Sequence, residues 1–421
     1  MFKSTCGDFR NLKGDRKMRR ISRKTFCLCF TLLLAALLSS CGSKSEETET
    51  NLFSSTVYGE HSLAIGSGNV LKSWGANGYG QLGLGSRLDK SLPKTVEISF
   101  TPVSFAAGGA HGVAVSADGT VYAWGLNGSG QLGDGTTTTR STPVPVLDTD
   151  GVTPLSGIVA IAAGGRHTLA LKNDGTVLAW GSNTKGQLGN DSTIGSKLPV
   201  QVAALESVTA IAAGGEFSLA LRSDGTVWAW GSNAKGQLGD GTTTNSLVPV
   251  KVQIQKSSSD VVIKAIAAGG SHALAIDEDG KVWAWGYNFF GQLGNNSAVD
   301  SNTAIEVFMP STGSVATSIA AGLDHSLAVI DNKVYAWGYN KNGQVGNGAE
   351  MNTEIPVRIP TNVIDGGRNP LVNFLTVTAG GYHSMARDIG GKLWTWGRNA
   401  HGQLGTGNRN SRSYAAEVAN L

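Results

Sequence analysis

Past residue 50 the chain is written in short alternating runs of apolar and polar residues, broken at regular places by glycine. One stretch shows the pattern: Ile161-Ala-Ala-Gly-Gly165-Arg-His167-Thr-Leu169-Ala-Leu171, then Asp174-Gly175, then Thr176-Val-Leu-Ala-Trp180-Gly181. His167–Leu171 and Thr176–Trp180 repeat with period two, which predicts two strands. The Asp-Gly between them predicts a tight hairpin with both turn residues at positive φ. The same signal returns at Asp118-Gly119, Asp224-Gly225 and Asp279-Gly280, and as Gly390-Gly391 near the end. Asn183-Thr184-Lys185-Gly186-Gln187-Leu188-Gly189 predicts a second turn, and Leu198-Pro199-Val200-Gln201-Val202 a further strand. No stretch from residue 51 onward sustains a 3.6-residue apolar period, so the expected class is all-β.

The pattern is a repeat. Trp-Gly recurs at Trp74, Trp124, Trp180, Trp230, Trp285, Trp337 and Trp396, at intervals of 50 to 59 residues, each time followed by Asn-x-x-Gly-Gln-Leu/Val-Gly. Seven four-stranded units of about 53 residues cannot each bury a sheet face alone. They predict a closed seven-bladed β-propeller with the tryptophans filling the space between blades. A linear β-solenoid fits less well, because its coils are shorter and poorer in hairpins.

The units resemble those of the RCC1 (regulator of chromosome condensation) repeat family, through the motif A-x-G-x-x-H…DG-x-V-x-x-WG-x-N-x-x-GQLG-x-G, which covers nearly all of residues 51–421. The resemblance implies the seven-bladed fold. By analogy it also implies a repeat offset from the blade, so that Leu52–Tyr58 and Tyr414–Leu421 would meet in one sheet. Functions within the resemblance differ widely: nucleotide exchange on a small GTPase for the nuclear founding member, β-lactamase inhibition by a secreted bacterial propeller, and light sensing by a plant photoreceptor.

Charge changes the picture only after the ends are separated. The chain of 421 residues has 58 Gly and a formal net charge of +3, but residues 1–40 hold nine Lys/Arg against two Asp/Glu. The remainder is mildly acidic and has no footprint for nucleic acid. Arg19, Arg20, Arg23 and Lys24 precede Thr25–Leu38, fourteen uncharged residues, long enough for a signal sequence and short of the roughly 20 a membrane-spanning helix needs. Leu38-Ser39-Ser40-Cys41-Gly42 then resembles the bacterial lipoprotein cleavage box, which implies a lipid on the Cys41 thiol. The expected layout is a leader over 1–40 (a start at Met18 would give a more compact signal), a polar tether over 41–50, and the propeller over 51–421. Beyond Cys41 there are no cysteines, so no disulfide staples the propeller.

Six histidines share one repeat position: His61, His111, His167, His272, His325 and His383, with Phe217 in the fourth unit. Equivalent residues of radiating blades lie on a ring and cannot converge on one metal ion, so these are expected to be structural, bonded to backbone within their own blade, with no metal and no cofactor. The residues that follow them (Ser62, Thr168, Ser218, Ser326, Ser384) are poor nucleophile candidates for the same reason. Gly78–Gly83 and Gly128–Gly133 fit G-x-G-x-x-G but lack the helix a phosphate site needs, and read as turns. Candidate binding residues are those that vary within the fixed frame. One set precedes the histidine position (Glu60, Arg166, Glu216, Asp324, Tyr382); another fills the turn after Trp-Gly-x-Asn (Tyr79, Phe289, Phe290). Phe289-Phe290, two adjacent aromatics in a turn, point to cover by an insertion loop or to a partner patch. Longer connections near Asp148–Ser156, Gln253–Val262 and Pro360–Leu371 are expected to extend one rim.

The expected function is that of a lipid-anchored, exported, monomeric scaffold without catalysis, holding a protein or a glycan through its rim loops. Nucleotide exchange is the alternative, weakened because this chain is exported and shows no match to the founding member's wedge loop. Light sensing is excluded at the sequence level: Gly165-Arg166-His167-Thr168 resembles the photoreceptor motif, but glycine or Leu323 stands where the sensing tryptophans would lie.

Overall fold

A computed structural model describes residues 53–55, 59–256, 259–360 and 372–421. The leader, Cys41 and the tether lie outside the described residues. Seven four-stranded antiparallel sheets follow one another along the chain, each made of four consecutive strands. In blade 3 these are Ile158–Ala163, His167–Lys172, Val177–Gly181 and Ser196–Gln201. The first strands of successive blades touch around the ring, the seventh back to the first, and the fourth strands form the outer edge. Proline in that fourth strand, as at Pro199, sits where a missing N–H costs no ladder bond. Among the described residues the only helical segment is the three-residue turn Ser67–Asn69.

Period two explains the core. Thr168 pairs with Trp180 across the second and third strands, and Leu169 with Ala179. Thr168, Ala170 and Trp180 therefore face blade 2, while His167, Leu169, Leu171, Val177 and Ala179 face blade 4. The core is a set of such interfaces. Leu169, Leu171, Val177 and Ala179 of blade 3 pack with Ala220 and Trp230 of blade 4, where the alanine leaves room for the indole. All seven Trp-Gly tryptophans are fully buried. Each indole N–H donates to the glutamine carbonyl of the preceding blade's Gly-Gln-Leu turn at 2.9–3.0 Å, from Trp124 on Gln81 around to Trp74 on Gln403.

The Asn-x-x-Gly-Gln-Leu-Gly segment is a clamp. Asn183 Nδ2 donates to the carbonyls of Ser192 and Ile194, and its Oδ1 accepts from the Leu188 N–H. Gln187 Oε1 accepts from the Lys185 N–H. Two side chains thus hold a long loop rigid from inside, and the residues between them are free to vary.

Two expectations need correction. The ring is not closed by a shared sheet: Phe53–Ser55 pairs within blade 1 and Arg412–Glu417 within blade 7. Closure is side by side, through contacts such as Gly407 N–H on the Ser91 carbonyl and Lys72 Nζ on the Asn420 carbonyl. Second, in the Asp-Gly hairpins only the glycine has positive φ, for example +83° at Gly175. The Asp174 carboxylate instead accepts from the Thr176 N–H, and Gly175 N–H bonds back to the Lys172 carbonyl, a type I turn closed by a left-handed glycine. The two-residue turn with both φ positive occurs at Asp331-Asn332, between paired Ile330 and Lys333. The connections at 148–156 and 253–262 join a fourth strand to the next first strand, at the face opposite the Gly-Gly turns. They do not extend the rim that carries the candidate binding residues, and most of the third connection lies outside the described residues.

Candidate functional site

The histidine ring is structural in a different way from the one expected. The Nε2 of each of five histidines bonds the hydroxyl of the next blade: His111 to Thr168, His167 to Ser218, His272 to Ser326, His325 to Ser384, and His383 to Ser62 across the closure, at 2.9–3.0 Å. The bond crosses blades because the histidine shares the face of Leu169-type residues, which point to the next blade and not back into their own sheet. Each hydroxyl donates its own proton to the glutamine carbonyl, as Ser218 does to Gln187 at 2.8 Å, so it accepts from the histidine and fixes the Nε2–H tautomer. Such a hydroxyl has no proton acceptor to activate it, because the imidazole nitrogen beside it carries the hydrogen.

The bare edge of the ring lies over the first glycine of the Gly-Gly turn. A Cβ on Gly164 would stand 2.3 Å from His167 Cε1 and 2.5 Å from the Gly214 carbonyl oxygen, which is why that turn is glycine. Burial pushes His61 and His167 down to about 4 and His111, His272, His325 and His383 down to about 3, so all six are neutral at pH 7. Two places break the series. Phe217 faces Ala273, apolar against apolar. His61 faces Gly112, and neither of its ring nitrogens makes a good hydrogen bond, although the His111 backbone lies nearby.

The variable positions lie together on one face. The carbonyl of the residue before the histidine position accepts from the residue after Trp-Gly: Ala76 on Glu60, Ser182 on Arg166, Ser232 on Glu216, Tyr339 on Asp324, Arg398 on Tyr382. Both candidate sets therefore share the Gly-Gly face, mounted on fixed backbone. On blades 5 to 7 they merge into an aromatic arc. Phe289 and Phe290 meet edge to face at 5.1 Å, Phe290 meets Tyr339 at 4.8 Å, and Tyr339 meets Tyr382 at 6.0 Å. Tyr287 stacks on Phe289 at 6.4 Å and meets Phe290 at 6.1 Å. Among the described residues, the rings that contact the two phenylalanines are tyrosines of their own and the next blade. Phe289 remains 66% exposed.

Charge frames the arc. Lys235 stands over Tyr287 and Arg398 over Tyr382. Arg398 also pairs with Glu60 at 3.0 Å, and His401 bridges Glu60 and Asp89 at 2.9 and 2.8 Å. Asp324, half-buried, is pushed up to about 6 by burial. Burial and then the Asp324 charge raise the Tyr287 and Tyr382 hydroxyls. The arc thus gathers Phe289, Phe290, Asp324 and Tyr382 and ends at Glu60, whereas exposed Tyr79, Arg166 and Glu216 occupy blades 1, 3 and 4 of the same face. Tyr287, Tyr339 and Arg398 escaped the sequence reading. Their slot, directly after Trp-Gly, holds Ala76, Leu126, Ser182 and Ser232 in other units, and that variation was the available signal.

No group of three or more His, Cys, Asp or Glu among the described residues is arranged to hold a metal ion. What the site offers is contact: rigid aromatic faces, a partly desolvated carboxylate and tethered cations.

A ring of seven such blades, locked by tryptophan and histidine across every seam but two, defines a class of repeat propeller. The chain belongs to the RCC1 repeat family: the RCC1-like domain model matches residues 149–421, and the regulator of chromosome condensation repeat matches 68–115 and 118–171. It is 33% identical over 355 residues to the Ultraviolet-B receptor UVR8 of Arabidopsis thaliana, covering 83% of this chain and 65% of that one. It is 38% identical over 246 residues to the probable E3 ubiquitin-protein ligase HERC4 of Homo sapiens, covering 58% of this chain and 22% of the ligase. The chain therefore spans less than two thirds of these relatives. Among solved structures, human WBSCR16 superposes with a TM-score of 0.73 at 25% identity, over 83% of this chain and 94% of that one. Prp20p of Saccharomyces cerevisiae gives 0.70 at 25% identity, over 84% and 86%.

Proposed function

We propose that the protein is a non-catalytic binding ring, exported and held at a membrane by a lipid on Cys41, that captures a protein partner on the aromatic arc of blades 5 to 7. The observation that carries this reading is the arc itself. Five aromatic rings in continuous contact, with Phe289 turned to solvent, stand on backbone already fixed by the Asn and Gln clamps. Aromatic side chains on rigid backbone bind with little further loss of conformational freedom, and they dominate interface energies. The first described strand enters the ring from the other face, since Phe53 pairs with Ala64 and Ser55 with Ser62.

The test is affinity capture of the tagged full chain from envelopes, wild type beside Phe289→Ser. Specific proteins recovered with the wild type and lost with the variant support the reading; equal recovery, or recovery of glycan alone, refutes it. For the anchor, Cys41→Ser or globomycin should release the protein from the membrane fraction, and unchanged fractionation would refute the lipid.

A second reading, nucleotide exchange on a small GTPase, draws on the likeness to Prp20p, whose structure is described together with its binding to Gsp1p and histones. Stimulated release of a fluorescent guanine nucleotide from a candidate GTPase would favour it. Light perception, suggested by the UVR8 name, draws less support. All ten indole N–H groups are engaged within the frame, Trp228 with Thr226, Trp283 with Asp277 and Trp394 with Asp388 besides the seven on glutamine carbonyls.

A further inference from the structure

This inference rests on the arc as the binding surface and names the chemistry that fills it. On this face the chain builds one three-part arrangement twice: a tyrosine ring, a cation over it, and a carboxylate beside the cation. On blade 5, the Tyr287 ring centre lies 4.7 Å from Lys235 Nζ, which reaches across from blade 4 and stands 3.6 Å from Asp300. On blade 7, the Arg398 guanidinium stands 5.7 Å from the Tyr382 ring centre and 3.0 Å from Glu60. Blade 6, between them, supplies the tyrosine and the carboxylate, Tyr339 and Asp324. Among the described residues no cation completes this set.

The polar contact to the Asp324 carboxylate is Gln292 Nε2 at 3.5 Å, the outer limit of a hydrogen bond. Asp324 is close enough to Tyr287 and Tyr382 to raise both hydroxyls, so it lies within the aromatic band and not beside it. A carboxylate that has lost part of its water without gaining a positive partner is held at a cost, and an incoming cation relieves it. Both flanking carboxylates are already neutralised by the chain's own lysine and arginine. The arc therefore presents one uncompensated negative charge inside an apolar rim.

We propose that the Tyr339–Asp324 position receives a lysine or arginine side chain from the partner protein, its cationic head on Asp324 and its apolar stem along Tyr339 and Phe290.

The test is titration of the full chain, carrying Cys41→Ser, with N-acetyl-arginine amide, N-acetyl-lysine amide and N-acetyl-norleucine amide. Carboxyl and ring resonances of Asp324 and Tyr339 are followed by NMR. The two cationic amides should shift both resonances saturably, with the uncharged amide at least tenfold weaker. Asp324→Asn should weaken the cationic amides at least tenfold, and Tyr339→Leu, which leaves the carboxylate in place, should also weaken them. Equal binding of norleucine amide, unchanged binding by Asp324→Asn, or no shift at Asp324 overturns the inference. Partner capture that depends on Phe289 but not on Asp324 would overturn it while leaving the binding-ring reading standing. Loss of Phe289 dependence would do the reverse.

Discussion

Lowering the pH from 7 to 5.5 should destabilise this propeller steeply, because of the six buried histidines. Their folded values lie at about 3 or 4, against 6.5 in the unfolded chain. The unfolded state therefore binds protons that the folded state refuses. Depressed histidines contribute stability fully above about pH 6.5 and lose it as pH falls toward the folded values. For each, the change between pH 7 and 5.5 is slightly more than about 1 kcal/mol, or about 7 kcal/mol for the six together. Asp324, raised to about 6, opposes this by about 1 kcal/mol, since its folded form gains a proton in the same window. The remainder rivals the whole stability of a typical domain, about 5–15 kcal/mol. The resistance to protonation has a structural source: in five of the six Nε2 already carries its hydrogen to the next blade, and in all six Nδ1 has no acceptor where a second proton would go. Urea unfolding followed by tryptophan fluorescence at pH 7.5, 6.5 and 5.5, at fixed ionic strength, reads the effect as a falling midpoint at constant slope. The double variant His167→Phe/Ser218→Ala copies the natural Phe217/Ala273 seam and should reduce proton uptake on unfolding by about one. Stability unchanged within about 1 kcal/mol between pH 7 and 5.5 would refute the reasoning.

Three further outcomes follow from the same contacts. His61→Phe should change stability by less than about 1 kcal/mol, since that ring lacks a hydroxyl partner, whereas His167→Phe alone should cost about 1–2 kcal/mol in chemical denaturation. Gly164→Ala should cost about 3 kcal/mol or prevent folding, read as a lowered melting temperature, because its Cβ meets both the His167 ring and the Gly214 carbonyl. Phe289→Ser should leave the melting temperature within about 2 °C of wild type, the ring being two-thirds exposed, while abolishing partner capture.

Much of this architecture was legible in the residues, and the misses have physical causes. Trp-Gly at a fixed spacing, strands of period two and Pro-x-Val edges read directly as seven blades, because each signal is local. The Asp-Gly turn type was misread, because an aspartate can cap the turn with its carboxylate and needs no positive φ of its own. The histidine partners were misassigned, although the clue lay in the pattern: His167 shares parity with Leu169, and parity sends it to the next blade. The pairing of Phe217 with Ala273, in place of histidine with hydroxyl, is a compensating change visible across consecutive units. What no local pattern carries is which side chains from different blades meet. Tyr287, Phe290, Tyr339 and Tyr382 span about 95 residues of sequence, and only the curvature of the ring brings them into contact.

That division between frame and face bears on how such a protein acquires a partner. A frame position answers to two blades at once, so one change leaves a buried polar atom, as at His61 opposite Gly112, unless it is matched across the seam, as Ala273 matches Phe217. A face position answers to neither. The slot after Trp-Gly is fixed by a backbone hydrogen bond to the residue before the histidine, whatever side chains the two carry. Alanine, leucine, serine, tyrosine and arginine all occupy it in this one chain without altering the sheet beneath. Aromatic residues can therefore collect on three adjacent blades one substitution at a time, each arriving on backbone that is already rigid. The arc needs no loop insertion, and its binding energy is not spent on ordering a loop.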